Sequence, residues 1–351
     1  MLRVARLTDR SGRYYLSDLT SDLSQELDVG PVGGGRWAGS GAAALGLRGP
    51  AGAEDLGAVL SGCHPVTGRP LRRHGTRVCG YDLTFAAPKS VSVLLGLGGG
   101  DVARTVAAAH STAVAQALDY VSAHALAARR GPREERYLVG TEGAIGASFA
   151  HGLSRTLDPH LHTHVVVANL AHGVDGRWTA IDGRGLWAHA RAAGALYDAH
   201  LRHELGSRLG LAWSPRRNGA YELCAIDPVV IGALSGRHAE IAGHLADHAA
   251  PGTPSSGRPG PGRWHSGPSA RARAVAWAAT RAEKPVAVTV AELRQQWLSR
   301  ASDAGYEPGA LARGISPEAG AYRHRSELRV LDEHRFAASL VTTASEAPTR
   351  R

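Results

Sequence analysis

The sequence predicts an α+β fold, on three observations. Short segments in which apolar and polar residues alternate, typical of β-strands, occur mainly in the first half of the chain. Longer Ala-rich segments, typical of helices, stand between and after them. Turn residues such as Asn218-Gly219 separate neighbouring short segments. With 351 residues, 43% of them hydrophobic, the chain can bury a sizeable core in one large domain or two smaller ones.

The strands are predicted from alternation, beginning with residues 2–8. In residues 78–85, Tyr81 and Phe85 share an apolar face, and Asp82 projects from the other face. A carboxylate on such a strand is costly unless it is solvated, paired or used, so Asp82 is either a functional acid or a plain exposed one. Further strands and a hairpin are predicted at residues 136–139, 144–149, 160–168 and 213–226.

The helices are predicted in the segments that separate and follow these strands. One long helix is expected to begin with Asp101 as its N-cap and to end at Arg130, before Gly131-Pro132. The others are predicted at residues 37–47, 190–209, 227–245, 270–283 and 288–304. Residues 250–269 are rich in Pro, Gly and Ser and are predicted to be a flexible insertion.

The net charge of +9 and the pI near 9.9 indicate a polyanionic partner, most commonly nucleic acid. Because Lys89 and Lys284 are the only lysines, an arginine-rich composition could supply the same charge without any partner. Neither a Walker motif nor a dinucleotide-binding glycine motif stands in a suitable place. Chemistry driven by nucleotides is therefore unsupported, and no helicase domain is expected in this chain.

The cysteines and the amino terminus bear on the compartment. Cys63, Cys79 and Cys224 are scattered and form no CxxC pair, so neither a disulfide framework nor a cysteine zinc site is indicated. The first residues do not form a signal peptide, and no run of about 18 apolar residues could span a membrane. We expect a soluble, cytoplasmic protein.

Four histidines lie between residues 151 and 164. His160, His162 and His164 alternate with apolar residues, so they share one face of a predicted strand. Because a strand rises roughly 3.3 Å per residue, His160 and His164 are roughly 13 Å apart, too far to share one ion. Only neighbours two residues apart can do so. At most two metal ligands therefore come from this strand.

A catalytic zinc-like ion usually has three protein ligands and one open position, so the third ligand must come from elsewhere. His151 is the nearest candidate, because the turn residues Gly152 and Asp158-Pro159 can reverse the chain. Spacing alone does not choose between the pairs His160/His162 and His162/His164. The alternatives are partly exposed histidines on an edge strand, or a structural ion; the lack of a nearby cysteine favours an open site.

Two motifs around this stretch resemble those of a known family. Residues 80–92 read GYDLTFAAPKSVS, and residues 154–164 read SRTLDPHLHTH. With the tyrosine pair Tyr14-Tyr15, they make the chain resemble, over roughly residues 1–305, the relaxase domain of TraI/TrwC-like conjugative relaxases. This is the MobF class of the HUH endonuclease superfamily. The resemblance implies a central, mainly antiparallel sheet flanked by helices, the relaxase palm, with a C-terminal helical clamp region.

The resemblance also implies roles for individual residues. It implies a metal ion held by His151, His162 and His164. His160 then occupies a position that is often glutamine in relatives. Tyr14 is implied as the nucleophile with Tyr15 beside it, and Asp82 as the acid that supports the nucleophile and orients the metal site.

By resemblance, the expected activity is metal-dependent, site-specific and strand-specific nicking of single-stranded DNA at an origin of transfer. Tyrosine attack would give a 5′-phosphotyrosyl link and a free 3′-OH, and the reversible exchange would rejoin the strand after transfer. The expected cofactor is one divalent ion (Mg, Mn, Zn, Ni or Co), and all-histidine ligation suits the last four at least as well as Mg. Relaxosome accessory proteins and a coupling ATPase are further possible partners, without membrane insertion.

Five basic residues are candidates for contacts with DNA phosphates: Arg72, Arg73, Arg77, Lys89 and Arg155. The alternative is that they belong to solvated loops. No second tyrosine pair occurs in residues 20–29, so whether Tyr15, water or a second molecule performs a second strand transfer is open. Residues 1–310 are expected to form the relaxase domain, and 311–351 a partly disordered extension.

Three other functions fit part of the pattern. A rolling-circle replication or transposition enzyme of the HUH superfamily would use the same chemistry. A metal hydrolase with three histidine ligands would activate water and would not need Tyr14. A DNA-binding module without catalysis would keep only the basic charge.

Overall fold

The computed structural model describes residues 1–8, 35–72, 77–132, 134–215, 220–248 and 288–307, with isolated positions between 272 and 315. Within these residues, an antiparallel sheet of six strands is packed against helices, which confirms the predicted α+β class. Several predictions lie outside the described residues: Tyr14, Tyr15, Arg73, the insertion at 250–269 and most of 311–351.

Every neighbouring pair of strands in this sheet is antiparallel. In order across the sheet, the strands are β1 (Leu2–Thr8), β4 (Val78–Ala86), β8 (Pro159–Ala168), β7 (Gly146–Leu153), β2 (Gly35–Ala38) and β3 (Pro50–Ala51). The strands β4 and β8 lie inside the sheet and are largely buried. Polar side chains on them therefore need partners within the protein.

The two faces of the sheet pack against different clusters. Leu83, Phe85 and Val165 point towards the larger cluster. It is covered by α3 (Lys89–Leu97), α4 (Gly99–His124), α5 (Arg184–Leu209) and α8 (Val290–Asp303). The opposite face carries a smaller cluster, in which Phe149 and Val166 meet residues of α2 (Ala53–Ser61).

The remaining elements are short. They are α1 (Ser40–Ala44), β5 (Ala127–Arg130), β6 (Tyr137–Gly140), β9 (Ala171–His172), β10 (Trp178–Thr179), β11 (Trp213–Pro215), β12 (Tyr221–Leu223), α6 (Pro228–Ala233) and α7 (Gly236–Asp247). The pair of β11 and β12 confirms the predicted hairpin. Among the helices described, none has both the length and the apolar character needed to cross a membrane.

The predicted helix over residues 101–130 was wrong at both ends. The helix α4 begins at Gly99, with Gly98 as its N-cap and Asp101 inside its first turn, and it ends at His124. The last four residues of the prediction form strand β5 instead. Arg130 explains this, because its buried guanidinium donates to both carboxylate oxygens of Asp175 at 2.7 Å. A tertiary ion pair thus overrides the helical propensity of the alanines.

Two other helix predictions need correction. Residues 37–47 were predicted as one helix, but Trp37 belongs to β2, where it pairs with Ala147, and only Ser40–Ala44 is helical. Residues 227–245 form two helices, α6 and α7, rather than one. The helical conformation is interrupted between them, where Leu234 is fully buried. The backbone N–H of Gly236 there donates to Asp158, 78 residues earlier in the chain.

Candidate metal centre

Three histidines come together on the face of the sheet that carries the smaller cluster. His151 on β7 lies directly opposite His162 on β8, and His164 follows two residues later on the same face. The potential ligand atoms of these three side chains all lie within 4.8 Å of one another. The reversal of the chain between β7 and β8 thus brings His151 beside the pair His162/His164.

His160 lies beside this group. Its ring stacks on that of His162, with the ring centroids 4.6 Å apart and 27° between the planes. It does not belong to the group of three possible ligands found in the described residues. The structure therefore groups the same three histidines that the resemblance implied.

Hydrogen bonds fix the tautomers of two of these rings. Nδ1 of His162 lies 2.8 Å from the backbone oxygen of His160, which can only accept, so Nδ1 carries the proton. Nδ1 of His164 lies 3.0 Å from both oxygens of Asp82 and likewise donates. In both rings Nε2 keeps its lone pair, the arrangement that a metal ligand requires.

Asp82 is the buried acid of this site, with 3% of its surface exposed. Besides His164, it accepts a hydrogen bond of 3.0 Å from the hydroxyl of Thr84. Thr84 lies opposite His164 across the two strands, and its hydroxyl is 3.3 Å from Nδ1 of that ring. Sequence patterns could not single out Thr84, because a threonine on a strand is ordinary.

Burial keeps His160 and His162 on β8 neutral. It lowers the pKa of His162 well below the usual value, and the neighbouring histidines act in the same direction. It also lowers the pKa of His160 to about 4. Imidazoles that are neutral at physiological pH offer a lone pair without having to release a proton first. Three imidazole nitrogen donors beside one carboxylate fit a divalent ion with an open coordination position.

A second polar group lies on the other face of β8. Thr163, between two of the clustered histidines, points towards the helices, and its hydroxyl is 2.8 Å from Nε2 of His110. The other ring nitrogen of His110 lies 2.7 Å from the hydroxyl of Tyr197. Helices α4 and α5 thus both hold the middle of the histidine strand. Sequence patterns could not reveal this link, since His110 lies within an ordinary Ala-rich helix.

The segment 88–92, part of the first family motif, anchors the beginning of β8. The ammonium group of Lys89 donates to the backbone oxygen of Pro159 at 2.6 Å. The hydroxyl of Ser92 accepts from the N–H of Leu161 at 3.0 Å. Burial lowers the pKa of Lys89 to about 8. These contacts make Lys89 a part of the scaffold behind the histidines.

The other candidates for DNA contacts differ from one another in how far they are buried. Arg72 is buried, and its guanidinium donates to the backbone oxygen of Leu60. Arg77 is exposed before β4. Arg155 is half-buried in the turn between β7 and β8, four residues after His151. Arg73, like the tyrosine pair, lies outside the described residues.

Comparisons with known proteins place the chain in a family. The model of the family described as "TrwC relaxase" matches residues 9–304. The multifunctional conjugation protein TraI of Escherichia coli is 32% identical over 252 residues, which are 68% of this chain and 13% of that protein. TraI of Escherichia coli strain K12 is 32% identical over 250 residues, which are 67% of this chain and 13% of that protein. The chain thus matches only a small part of these curated relatives.

Solved structures are similar over most of the chain. The metal-bound conjugative relaxase TrwC in complex with oriT DNA has a TM-score of 0.74 at 29% identity, covering 88% of this chain and all of that one. A copper-bound TrwC complex gives 0.73 at 28% identity with the same coverage. TrwC with a 27-mer DNA that comprises the recognition hairpin and the cleavage site gives 0.71 at 29% identity, again with that coverage.

Proposed function

The chain belongs to the TrwC relaxase family, and from this premise we propose that it is a conjugative relaxase. In this proposal it nicks one strand of origin-of-transfer DNA through a tyrosine nucleophile, with the help of a divalent metal ion, and later rejoins the strand. One observation of the structure carries the proposal: the donor atoms of His151, His162 and His164 lie within 4.8 Å of one another, beside the buried carboxylate of Asp82.

The ligands of the ion are proposed to be these three histidines. A bound divalent ion would polarise a non-bridging oxygen of the scissile phosphate and offset the charge that develops there. The three nitrogen donors suit Mn, Zn, Ni and Co at least as well as they suit Mg. The metal-bound and copper-bound structures of TrwC support a metal site in this family.

Tyr14 is the proposed nucleophile. Its oxygen attacks the phosphorus of the scissile phosphodiester, the bond from phosphorus to the 3′ oxygen breaks, and that oxygen leaves as a free 3′-OH after taking up a proton. The 5′ side remains as a phosphotyrosyl ester, so the reverse step rejoins the strand. A tyrosine hydroxyl with a pKa near 10 is a weak nucleophile at neutral pH, which is why the step needs assistance.

Asp82 is proposed to orient the site. Its two oxygens already accept from His164 and Thr84, which favours a role in holding the imidazole over a role as the base for Tyr14. Tyr15 is proposed as the neighbour of the nucleophile and not its replacement.

The substrate is proposed to be single-stranded origin-of-transfer DNA, in keeping with the net charge of +9 and the DNA complexes of TrwC. Among the basic candidates, the exposed Arg77 and the turn residue Arg155 are the better placed for phosphate contacts. Arg72 and Lys89 already donate to backbone oxygens within the fold, and Arg73 remains a candidate from sequence.

The relaxase domain is proposed to span residues 1–310, with the insertion at 250–269, and 311–351 to be an extension of it. The cytoplasm is the proposed compartment, because the sequence has only three scattered cysteines and no CxxC pair. Relaxosome accessory proteins and a coupling ATPase are the proposed protein partners.

The proposal is tested by incubating the protein with single-stranded oligonucleotides from an origin of transfer, with Mn²⁺ or with a chelator. We expect a covalent protein–DNA adduct with Mn²⁺ only, and a 3′ end that a polymerase can extend. The adduct should be absent in Tyr14→Phe and present in Tyr15→Phe. Cleavage without an adduct would contradict the proposal and favour a metal hydrolase that activates water.

A further inference from the structure

The turn between β7 and β8, residues 154–158, connects the strand of His151 to the strand of the other two histidines. His151 pairs with His162, and the next pair towards the turn is Leu153 with Pro159, with an irregularity in register between them. The position of His151 against His162 therefore depends on the path of the chain through this β7–β8 turn. Contacts that hold the turn therefore act on the spacing of the histidines together with the pairing of β7 and β8.

The backbone of the β7–β8 turn is strained. Leu157 has φ of 58°, and it is the one residue other than glycine with a positive φ in the described part of the chain. A leucine in the left-handed region is unfavourable, and it persists only when its surroundings hold it there. The turn therefore needs contacts from outside itself.

Helix α8 supplies two of these contacts. The indole N–H of Trp297 donates to the backbone oxygen of the strained Leu157 at 2.9 Å, and the indole is 1% exposed. One turn further along α8, the guanidinium of Arg300 donates to Asp158 at 2.8 Å. A second nitrogen of the same guanidinium donates to the backbone oxygen of Ala233, at the end of α6.

Asp158 is the acceptor at which these contacts meet. It is 1% exposed, so its charge needs partners within the protein. Besides Arg300, it accepts from the N–H of Gly236 at 2.6 Å and from the hydroxyl of Thr156 at 3.1 Å. Its carboxylate therefore joins the turn to α7 and α8, which come much later in the chain.

The packing around the turn leaves little room for it to shift. A Cβ added to Gly96 on α3 would lie 2.9 Å from Cγ of Pro159 and 3.1 Å from the indole of Trp297. A Cβ added to Gly236 would lie 3.0 Å from the carboxylate of Asp158. Both glycines permit a close approach that a side chain would prevent.

We infer that Arg300 and Trp297 are positioning residues of the metal centre. They hold the β7–β8 turn through Asp158 and Leu157, and thereby hold His151 at the distance from His162 and His164 that one ion requires. They also fix the place of Arg155 in the same turn. Neither residue belongs to the group of three histidines that could hold the ion. This inference rests on the proposed function, since it presupposes that the three histidines bind a metal.

The test measures the dissociation constant of Mn²⁺ by calorimetry for the whole chain and four variants. Arg300→Gln and Trp297→Phe each remove a hydrogen bond to the turn, and Arg300→Lys keeps the charge. Arg104→Gln is the matched control, because it breaks the exposed ion pair with Asp101 on α4. Thermal melting of each protein without metal shows that it is folded.

We expect Arg300→Gln and Trp297→Phe to raise the dissociation constant about 3- to 10-fold. This is less than the 10- to 100-fold change typical when a group bonded directly to a ligand is lost. The dissociation constant of Arg300→Lys should lie between those of Arg300→Gln and the unaltered protein. The dissociation constant of Arg104→Gln should lie within about twofold of that of the unaltered protein. Amide hydrogen exchange at Leu157 and Asp158, measured without metal, should be faster in Arg300→Gln than in the unaltered protein. In the control Arg104→Gln it should be unchanged.

Unchanged Mn²⁺ affinity in both Arg300→Gln and Trp297→Phe would overturn the inference while leaving the proposed function intact. If Arg300→Gln does not fold, Trp297→Phe, which keeps an aromatic ring, decides the outcome alone. Failure of the unaltered protein to bind Mn²⁺ would instead overturn the proposed function, and this inference with it.

Discussion

Nδ1 of His164 lies 3.0 Å from both carboxylate oxygens of Asp82. This relationship joins β4 and β8, two neighbouring interior strands of the sheet, at the point where the histidines cluster. The carboxylate holds the proton of the ring on Nδ1 and leaves Nε2 for a metal, so one buried acid determines both the tautomer and the orientation of a ligand.

Substituting Asp82→Asn should weaken metal binding. The amide has the shape of the carboxylate but no charge, and its NH₂ group can donate to Nδ1, which would favour the wrong tautomer of His164. We expect the dissociation constant of Mn²⁺ to rise about 10- to 100-fold, as measured by calorimetry. Asp101→Asn, at a side chain that is 95% exposed, is the control and should leave it unchanged. Equal affinity in Asp82→Asn and the control would refute this role.

His160 and His162 should differ in their importance for the ion, although their rings stack on each other. His162→Gln removes one of three nitrogen donors and should abolish measurable Mn²⁺ binding at micromolar concentrations. His160→Gln should change the affinity less than about threefold, because the backbone oxygen that accepts from His162 remains. A loss of binding in His160→Gln comparable to that in His162→Gln would mean that the ligands are wrongly assigned.

His110 should make stability depend on pH. Burial lowers its pKa to about 3, with smaller effects from the terminal ammonium group and His160. In the unfolded chain the pKa of a histidine is about 6.5, so between pH 6.5 and 3 only the unfolded state takes up this proton. The free energy of unfolding therefore falls as the pH is lowered, by up to about 1.4 kcal/mol per pH unit for this residue.

Urea unfolding between pH 6.5 and 4.5 measures this dependence. His110→Gln should remove the contribution of about one proton from the slope of the unfolding free energy against pH. This holds whatever the substitution does to the stability at pH 7. His238→Gln, at an exposed position on α7, is the control and should keep the full slope. The same slope in His110→Gln and the unaltered protein would show that His110 is not held neutral by the fold.

Lys89→Met should act on stability more than on DNA binding. It leaves the backbone oxygen of Pro159 without the ammonium group that donates to it at 2.6 Å, which should cost about 1–2 kcal/mol of unfolding free energy. Because this charge is engaged inside the fold, the slope of log affinity for DNA against log salt concentration should not change. Arg77→Gln, at an exposed position, should reduce that slope by about one. A reduced slope in Lys89→Met would restore Lys89 as a phosphate contact.

The sequence was sufficient to predict the strands around the site. Alternation placed Asp82 on the face opposite Tyr81 and Phe85, and placed His162 and His164 together on one face of their strand; the structure confirms both. Alternation could not choose the ligand pair on that strand, because every second residue satisfies the same pattern. Here the choice came from the resemblance, and the positions of the three rings agree with it.

Contacts between distant parts of the chain could not be predicted. Arg300 and Asp158 are 142 residues apart, and nothing in either neighbourhood marks them as a pair. The end of α4 at His124 was missed for the same reason, since the bond of Arg130 to Asp175 determines it. Periodicity reports on which face is buried, and the partner of a buried charge depends on tertiary structure.

Mapping the covalent adduct shows which residue attacks the DNA and whether the histidines are needed for the attack. The protein is incubated with Mn²⁺ and a single-stranded oligonucleotide that contains the cleavage site, the adduct is digested with protease and nuclease, and the modified peptide is identified by mass spectrometry. We expect a nucleotide attached through its 5′ phosphate to Tyr14, and no adduct when His162 is replaced by Gln. A nucleotide on a residue other than Tyr14, or an undiminished adduct in His162→Gln, would contradict this expectation.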